Sequence, residues 1–554
     1  MNRARKRVTD KRVRSFLREM SHPTAFGELQ YLDSGAYASV LQGTDGETGD
    51  KVALKLVHSE SERAVLLTNT ALRELQALTH LCHPNIVRLL RFVFVPGLAC
   101  FVFPLYDCNL GEYMRVRREL PPASVRHVVR ELARGLQAAH ERGFVHRDLK
   151  PGNILVSTDL ASVVLADWGM TRALLDASPS NLSDEVITTW YAPPEVLCRH
   201  TNYTFSVDVW SLGILALDLV WGAALFGNTD CGREDFMGAV LAMLGTDFQS
   251  GSSLEWLQRC AGPRPDSLPG LAGAVRNMLA KVDRESALGP AFLDMVHGML
   301  AFQPDSRPTA RKLLTHPWLR EDGPETPAEP IVLRGKLRWT VCSPDEAKLG
   351  EDEERRARCL RLPAATTAPP ADFVFGWKEG HDLALRRLVL QNALRRPGSP
   401  NSFLLAMHMS HLLRKTTPRM LMACVTLADS VTGPIEVMAS WRETTIGRQC
   451  SERLRNFGFK DMEDYARVEL EVLSALGGRV PLLPACFHAL RWLPLDGPAQ
   501  RMALFLLTEP KFLVRHGMDV DAVRRVALLY QYGGTSGVLE SAIFLASEMD
   551  VGLK

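Results

Sequence analysis

The stretch that decides the fold is "HRDLKPGNIL", residues 146–155. It places a carboxylate (Asp148), a cation (Lys150) and an amide (Asn153) within one short loop. Transfer of a phosphoryl group needs a carboxylate near the attacking hydroxyl, a cation near the transferring phosphate and a side chain that holds a metal ion. One loop supplies all three, so the pattern predicts phosphoryl transfer with Asp148 and Lys150 as catalytic residues and Asn153 as a metal ligand.

Two further motifs stand at matching distances along the chain. In "LADWGM" (residues 165–170), Asp167 follows Asn153 by 14 residues and offers a second ligand for Mg²⁺. Upstream, "KVALKLV" (residues 51–57) puts Lys55 on a predicted strand, from which it can reach the phosphates of ATP. Glu74, in a helix that follows, is predicted to hold Lys55 by an ion pair.

A glycine-poor segment, "YLDSGAYASV" (residues 31–40), precedes that strand. A phosphate-binding loop of the form G-x-G-x-x-G-x-V brings backbone N–H groups close to phosphate oxygens. Only Gly35 remains of the three glycines, with Asp33 and Ala38 at the other two positions. We expect Gly35 to keep the central approach, Val40 to cover the base, and the Asp33 carboxylate to weaken ATP affinity.

Three more motifs extend the pattern: "WYAPPEVL" (190–197), "SVDVWSLG" (206–213) and "QPDSRPTARKLLTHPWL" (303–319). With them, residues 26–319 resemble a eukaryotic protein kinase, which implies an α+β bilobal fold with a small β-rich N-lobe and a helical C-lobe. The resemblance implies serine or threonine side chains of proteins as substrates, a buried Glu195–Arg307 ion pair, and an Asp208 that braces the catalytic loop. It also implies this set of ATP-binding residues: Leu32, Gly35, Val40, Ala53, Lys55, Glu74, Phe103, Leu105, Tyr106 and Leu155.

The segment "TNTALRELQALTHLCHPNIVRLL" (residues 68–90) resembles the PSTAIRE helix of cyclin-dependent kinases. In that group, three arginines converge on one phosphorylated residue of the activation segment. The matching positions here are Arg73, Arg147 and Arg172, and counting back from "EVITTWY" gives Ser183 as the matching hydroxyl. A phosphate on Ser183 would face three guanidinium groups and order the loop.

The chain departs from that group at several positions. Ala36-Tyr37 stands where cyclin-dependent kinases carry an inhibitory Thr-Tyr pair, so only Tyr37 is expected to accept a phosphate there. Trp168 replaces the usual phenylalanine after Asp167. Ala192 replaces the arginine of W-Y-R, which helps to shape the pocket for proline, so strict selectivity for Ser/Thr-Pro is not expected.

Beyond the kinase-like region the composition changes. Residues 320–370 include "EDGPETPAEP" and "EDEERRAR" and read as a linker. Residues 371–554 read as helical and resemble a cyclin box through three features. These are Leu405-Ala406-Met407, "TLADS" (426–430) and "VELEVLSAL" (468–476) followed by prolines, with Glu469 on the cyclin glutamate that contacts the kinase. Ser430 replaces the lysine partner of that glutamate, and a helical bundle of other purpose is the alternative.

If both resemblances hold, the kinase and its activator lie on one chain. A flexible linker of about fifty residues has a root-mean-square span of roughly 40 Å, and tethering can give millimolar effective concentrations. The predicted function is therefore that of an ATP- and Mg²⁺-dependent cyclin-dependent-type kinase with an intramolecular cyclin-like domain, regulating the cell cycle or transcription. Binding of a separate cyclin stays open. The alternative is a weakly active kinase-fold scaffold with a partner-binding helical module.

Bulk composition limits the remaining function classes. The chain of 554 residues is 46% hydrophobic and 23% charged, with a net charge of +2, which argues against direct nucleic-acid binding. Eleven scattered cysteines suit a reducing compartment, and we expect no membrane span and no secretory signal. Residues 1–25 form a basic tail, read as a solvated segment, a contact for an acidic partner or a nuclear-import patch. The expected location is cytoplasmic, nuclear or both.

Overall fold

The chain separates into two compact units, one of residues 1–174 and 179–361 and one of residues 175–178 and 362–554. The computed structural model describes the following residues: 26–34, 38–58, 68–95, 98–117, 120–173, 189–197, 204–225, 280, 285–320, 338–341, 360–361, 405–406, 409, 412–413, 417–432, 459–460, 462–478 and 480–481. Each unit is described by itself.

The first unit begins with a curled antiparallel sheet. Its strands are β1 (Phe26–Ser34), β2 (Ala38–Asp45), β3 (Lys51–His58), β4 (Arg91–Val95) and β5 (Leu98–Pro104), arranged in the order β1-β2-β3-β5-β4. Alternation of side chains along the strands gives the sheet two distinct faces. One face forms an apolar core that includes Leu41, Leu54 and Val102, and the other carries Lys55.

The helices of this unit lie mainly after the sheet. They are α1 (Asn69–His80), α2 (Leu110–Val116), α3 (Pro122–Glu141), α4 (Pro194–Leu197), α5 (Ser206–Trp221), α6 (Glu285–Met299), α7 (Ala310–Leu313) and α8 (Pro317–Arg320). Helix α1 begins where the Thr68 side chain accepts a hydrogen bond from the Ala71 N–H at 3.1 Å, an N-cap. Helix α5 is buried along its length from Val207 to Val220. Within the described residues, no helix is both long and apolar enough to cross a membrane.

Short strands between the helices hold the loops that carry the motifs. They are β6 (Cys108–Asn109), β7 (Phe144–Val145), β8 (Ile154–Val156), β9 (Val163–Leu165) and β10 (Arg172–Ala173). Strand β8 pairs with β6 on one side and β9 on the other, while β7 pairs with β10. Because β7 and β8 flank the "HRDLKPGN" segment, the pairing fixes both ends of that loop.

Two further strands fall inside the range predicted as a linker. Strand β11 (Arg338–Val341) pairs in parallel with β4, and β12 (Leu360–Arg361) pairs with β11. The described sheet therefore has seven strands, and part of the segment after residue 319 belongs to the first unit.

The second unit contains two packed helices, α9 (Pro418–Thr432) and α10 (Met462–Ala475). Their contacts include a hydrogen bond between Thr426 and Tyr465 and an ion pair between Arg419 and Asp464. Helix α10 is followed by Gly477 and Gly478, both with positive φ, and the Gly478 N–H donates to the Leu473 carbonyl at 2.7 Å. Both segments are helical, as the sequence predicts, and the two glycines end helix α10.

Candidate active site

The Lys55 side chain joins the sheet to helix α1. Its Nζ donates to both carboxylate oxygens of Glu74, at 2.9 and 2.8 Å. Burial raises the pKa of Glu74 to about 7, against the opposing effect of the Lys55 charge. Burial would lower the pKa of Lys55, but the carboxylates of Asp167 and Glu74 outweigh it, and the lysine stays charged. The predicted Lys55–Glu74 pair is present.

Asp167 brings the third charge to the same lysine. Lys55 Nζ lies 2.7 Å from Asp167 Oδ1, and the lysine charge lowers the pKa of Asp167. Asp167 has a left-handed backbone with φ 61°, followed by a 3₁₀ turn over Trp168–Met170. Lys55, Glu74 and Asp167 are called the Lys55 cluster below. It links strand β3, helix α1 and the predicted metal-binding loop.

The catalytic loop brings its three predicted residues within hydrogen-bond distance. Lys150 Nζ donates to Asp148 Oδ2 at 2.7 Å, and Asn153 Nδ2 donates to the same oxygen at 2.7 Å and to the Asp148 carbonyl at 2.8 Å. The carbonyl oxygen of the Asn153 side chain is then the atom suited to a metal ion. The loop therefore presents a carboxylate oriented by an amide and a cation.

Asp208, at the start of helix α5, holds the catalytic loop through its backbone. Its Oδ2 accepts from the His146 N–H and its Oδ1 from the Arg147 N–H, each at 2.9 Å. His140 Nε2 lies 2.9 Å from Asp208 Oδ2, a contact that the sequence motifs did not indicate. Burial would raise the pKa of Asp208, but the hydrogen bonds with His140 and Arg147 outweigh it and lower the pKa. His140, His146, Arg147 and Asp208 are called the loop-anchor network below.

The sheet places several of the predicted nucleotide-binding side chains on the face that carries Lys55. In the strand register, Val40 lies opposite Lys55 and Ala53 opposite Phe103. Leu32 lies on β1, Leu105 and Tyr106 follow β5, and Leu155 lies on β8. Two predicted positions, Gly35 and Tyr37, lie outside the described residues.

The predicted phosphate-binding arginines are placed in part. Arg73 in helix α1 and Arg147 in the catalytic loop are 2% and 0% exposed, and Arg147 has a left-handed backbone with φ 72°. Arg172 lies on β10, which pairs with β7 directly before the catalytic loop. Ser183 lies outside the described residues, so its meeting with the arginines stays a prediction.

The predicted Glu195–Arg307 pair is buried and bidentate. Arg307 Nη1 and Nη2 donate to the two Glu195 oxygens at 2.6 and 2.8 Å. A second buried contact nearby was not predicted: the Tyr191 hydroxyl donates to Asp218 Oδ2 at 2.7 Å. Burial raises the pKa of Asp218 to about 7. No sequence motif marks Asp218, because a single acid in an apolar helix forms no pattern with other residues.

Comparison with known proteins decides the family. The protein kinase domain family matches residues 26–319. The chain belongs to the protein kinase family. The kinase is 33% identical over 298 residues to cell division control protein 2 homolog 1 of Trypanosoma brucei brucei, covering 53% of this chain and 97% of that protein.

Two other relatives widen the comparison. The kinase is 30% identical over 320 residues to CTD kinase subunit alpha of Schizosaccharomyces pombe, covering 56% of this chain and 50% of that protein. It is also 30% identical over 315 residues to mitogen-activated protein kinase 12 of Homo sapiens, covering 55% of this chain and 81% of that protein. The chain is thus a protein kinase with relatives of cyclin-dependent-kinase type.

Membership of this family implies ATP and a divalent metal ion, and the residues present fit both. Carboxylate and amide oxygens are the ligands that hard divalent cations take, and Asp167 and Asn153 supply one of each. Lys55 supplies a fixed positive charge for phosphate oxygens on the face shared with Val40 and Ala53. These residues are therefore the ones that would hold ATP and its metal ion.

Glu469, the predicted kinase-contacting glutamate, lies on helix α10 and is 1% exposed. The next acid on the same helix, Glu471, is exposed. The predicted contact of Glu469 with the kinase stays a prediction, as does the cyclin-box resemblance of the second unit.

Proposed function

We propose that this protein is a Mg²⁺-dependent serine/threonine kinase of cyclin-dependent type, activated in cis by its cyclin-like second unit. The observation that carries the kinase part is the Lys55 cluster: one lysine bonded to both Glu74 and Asp167. Phosphoryl transfer requires helix α1, strand β3 and the metal-binding loop of Asp167 to be in place at the same time, and this arrangement joins all three.

The residues of the chain take distinct roles in the proposed reaction. Asp148 accepts the proton of the attacking serine or threonine hydroxyl, and Asn153 and Lys150 hold its carboxylate in place. Lys150 also stabilises the phosphoryl group as negative charge moves toward the leaving group. Bound Mg²⁺, held by Asn153 and Asp167, would neutralise phosphate charge.

The sequence supports two regulatory sites. Phosphate on Ser183 would engage Arg73, Arg147 and Arg172 and favour the active arrangement, whereas phosphate on Tyr37 would inhibit from the nucleotide loop. The basic tail of residues 1–25 supports nuclear entry, and the name of the relative cell division control protein 2 homolog 1 supports a role in cell division.

Support for activation in cis comes from the second unit. Helices α9 and α10 pack together through a mixed apolar and polar interface, and the order of motifs follows a cyclin box. The cyclin-box resemblance assigns Glu469 to the position of the kinase-contacting glutamate, and this residue lies on helix α10.

The kinase activity is tested by incorporation of labelled phosphate from ATP into a mixed Ser/Thr peptide library by the full chain. Wild-type protein is expected to transfer phosphate after Ser183 is phosphorylated, and Lys55→Met is expected to be inactive. A wild-type chain that folds, carries phosphate on Ser183 and still transfers none would support the scaffold alternative.

Activation in cis is tested separately with a matched pair on one helix. Glu469→Gln is expected to lower kcat at least tenfold, while Glu471→Gln, at an exposed position, is expected to leave kcat unchanged. Equal kcat values for the two variants, both melting like the wild type, would remove the activator role of Glu469.

A further inference from the structure

Gly169, in the turn after Asp167, lies directly against the first turn of helix α1. A Cβ atom at Gly169 would stand 2.6 Å from Thr70 Cγ2, with Asp167 Oδ1 at 3.5 Å and Glu74 Oε2 at 3.7 Å. Carbon atoms in contact are separated by about 3.5–4.0 Å, so the Thr70 methyl fills the space that a side chain would need. The methyl group of Thr70 is therefore the neighbour that excludes a side chain at Gly169.

The backbone does not explain the glycine. Gly169 is absent from the described residues with a positive φ, so an alanine could adopt its conformation without strain. The two oxygen atoms stand at ordinary contact distances. Packing against Thr70 is what requires glycine at this position.

The turn that carries Gly169 is held firmly from its other side. Trp168 is fully buried, packs edge-on against His146 with ring centroids 4.6 Å apart, and donates from Nε1 to the Leu165 carbonyl at 3.3 Å. The turn is therefore anchored to the catalytic loop, and helix α1 rests on it through Thr70.

Thr70 lies four residues before Glu74, one helical turn away on the same face. A displacement at Thr70 would move Glu74 relative to Lys55 because the helix transmits it as a rigid unit. We infer that Thr70 is a positioning residue whose methyl contact with Gly169 sets the Glu74–Lys55 distance. This role rests on the proposed kinase activity for its catalytic consequence, but the contact itself can be tested without it.

The test uses the full chain and three substitutions. Gly169→Ala introduces the clashing methyl group, Thr70→Ser removes the branch that it meets, and Thr70→Val keeps both branches. Phosphotransfer gives kcat and the KM for ATP, and hydrogen exchange of the peptide covering residues 69–80 reports on helix α1 independently of catalysis.

We expect Gly169→Ala to lower kcat roughly tenfold or more, with a smaller change in KM, and to speed exchange in helix α1. In the Gly169→Ala background, adding Thr70→Ser should restore most of the kcat and of the slow exchange of helix α1. Adding Thr70→Val should restore neither kcat nor slow exchange. Thr70→Ser alone should speed exchange at the first turn of the helix, because it leaves a gap beside Gly169.

Several results would overturn the role of Thr70. They are wild-type kcat and exchange in Gly169→Ala, equal rescue by serine and valine, or no rescue by serine. If Gly169→Ala does not fold, unchanged exchange in Thr70→Ser alone decides against the role. If the wild-type chain transfers no phosphate, the proposed function fails, while the exchange pattern still decides whether Thr70 positions helix α1.

Discussion

The loop-anchor network and the Lys55 cluster both place a buried carboxylate beside the active site, but they hold it differently. Asp208 accepts two backbone N–H groups and contacts His140, so its pKa is lowered despite burial. Among the described residues, Glu74 bonds through its side chain to Lys55 alone, and burial raises its pKa to about 7. Backbone donors are fixed by the fold, whereas the Glu74 contact requires helix α1 to stay in place.

This difference separates a fixed part of the site from an adjustable part. The loop-anchor network holds the catalytic loop through the backbone N–H groups of His146 and Arg147, which the fold keeps in place. The Lys55 cluster joins three separate segments and can be opened by moving one helix. Regulation is therefore expected to act on the Lys55 cluster.

The largest effect is expected at Asp148, the predicted catalytic base. Asp148→Asn removes the base and should lower kcat by about 10²–10⁴-fold while leaving the melting temperature near that of the wild type. A steady-state assay with thermal melting as its control measures both. Retention of more than a tenth of the wild-type kcat would show that Asp148 does not take the proton.

Next in size is the loss of the loop anchor. Asp208→Ala leaves the buried His146 and Arg147 N–H groups without their acceptor, at about 1–3 kcal/mol each. We expect both the melting temperature and kcat to fall. A variant that loses stability but keeps its kcat would show that Asp208 supports the fold and not the loop geometry.

A smaller effect is expected in the adjustable part. Glu74→Gln keeps a hydrogen-bond acceptor for Lys55 but removes the charge, so kcat/KM should fall roughly tenfold. Lys55 keeps its ion pair with Asp167, so we expect little change in melting temperature. Loss of stability comparable to that of Asp208→Ala would mean that the two carboxylates are held alike, contrary to the comparison.

Asp218 lies ten residues after Asp208 on helix α5. Like Glu74 it is a buried carboxylate with a raised pKa, so the stability of the fold should depend on pH through it. Its pKa of about 7 lies above the usual 3.8, so folding takes up a proton between these values. The stability from this proton is present at low pH and is lost as the pH rises through 7. Relative to the wild type, the free energy of unfolding of Asp218→Asn should therefore rise by about 2–3 kcal/mol between pH 5 and pH 8 in urea denaturation. Parallel stability curves for the two proteins would contradict the raised pKa.

The smallest effect is expected at the nucleotide loop. Asp33 lies on β1, paired through its backbone with Val40. Its charge should repel the phosphates of ATP, so Asp33→Gly is expected to lower the KM for ATP a few-fold with kcat nearly unchanged. Asp33→Asn serves as the matched control for loss of charge, and an unaltered KM in both variants would contradict the repulsion.

The sequence alone determined the kinase fold and the predicted catalytic set. Residues such as Asp148, Lys150 and Asn153 stand within one loop, and local spacing is enough to bring their side chains together. The ion pairs of Lys55 with Glu74 and of Glu195 with Arg307 were also predictable, because each partner lies in a motif with a known place in the family.

Only the tertiary structure decided the contacts that have no motif. His140 meets Asp208, Thr70 closes the space above Gly169, and β11 pairs with β4, although each pair lies far apart along the chain. Such contacts depend on how helices pack and how strands align. The sequence specifies these arrangements through the whole core and not through any short pattern, which is why they had to be observed.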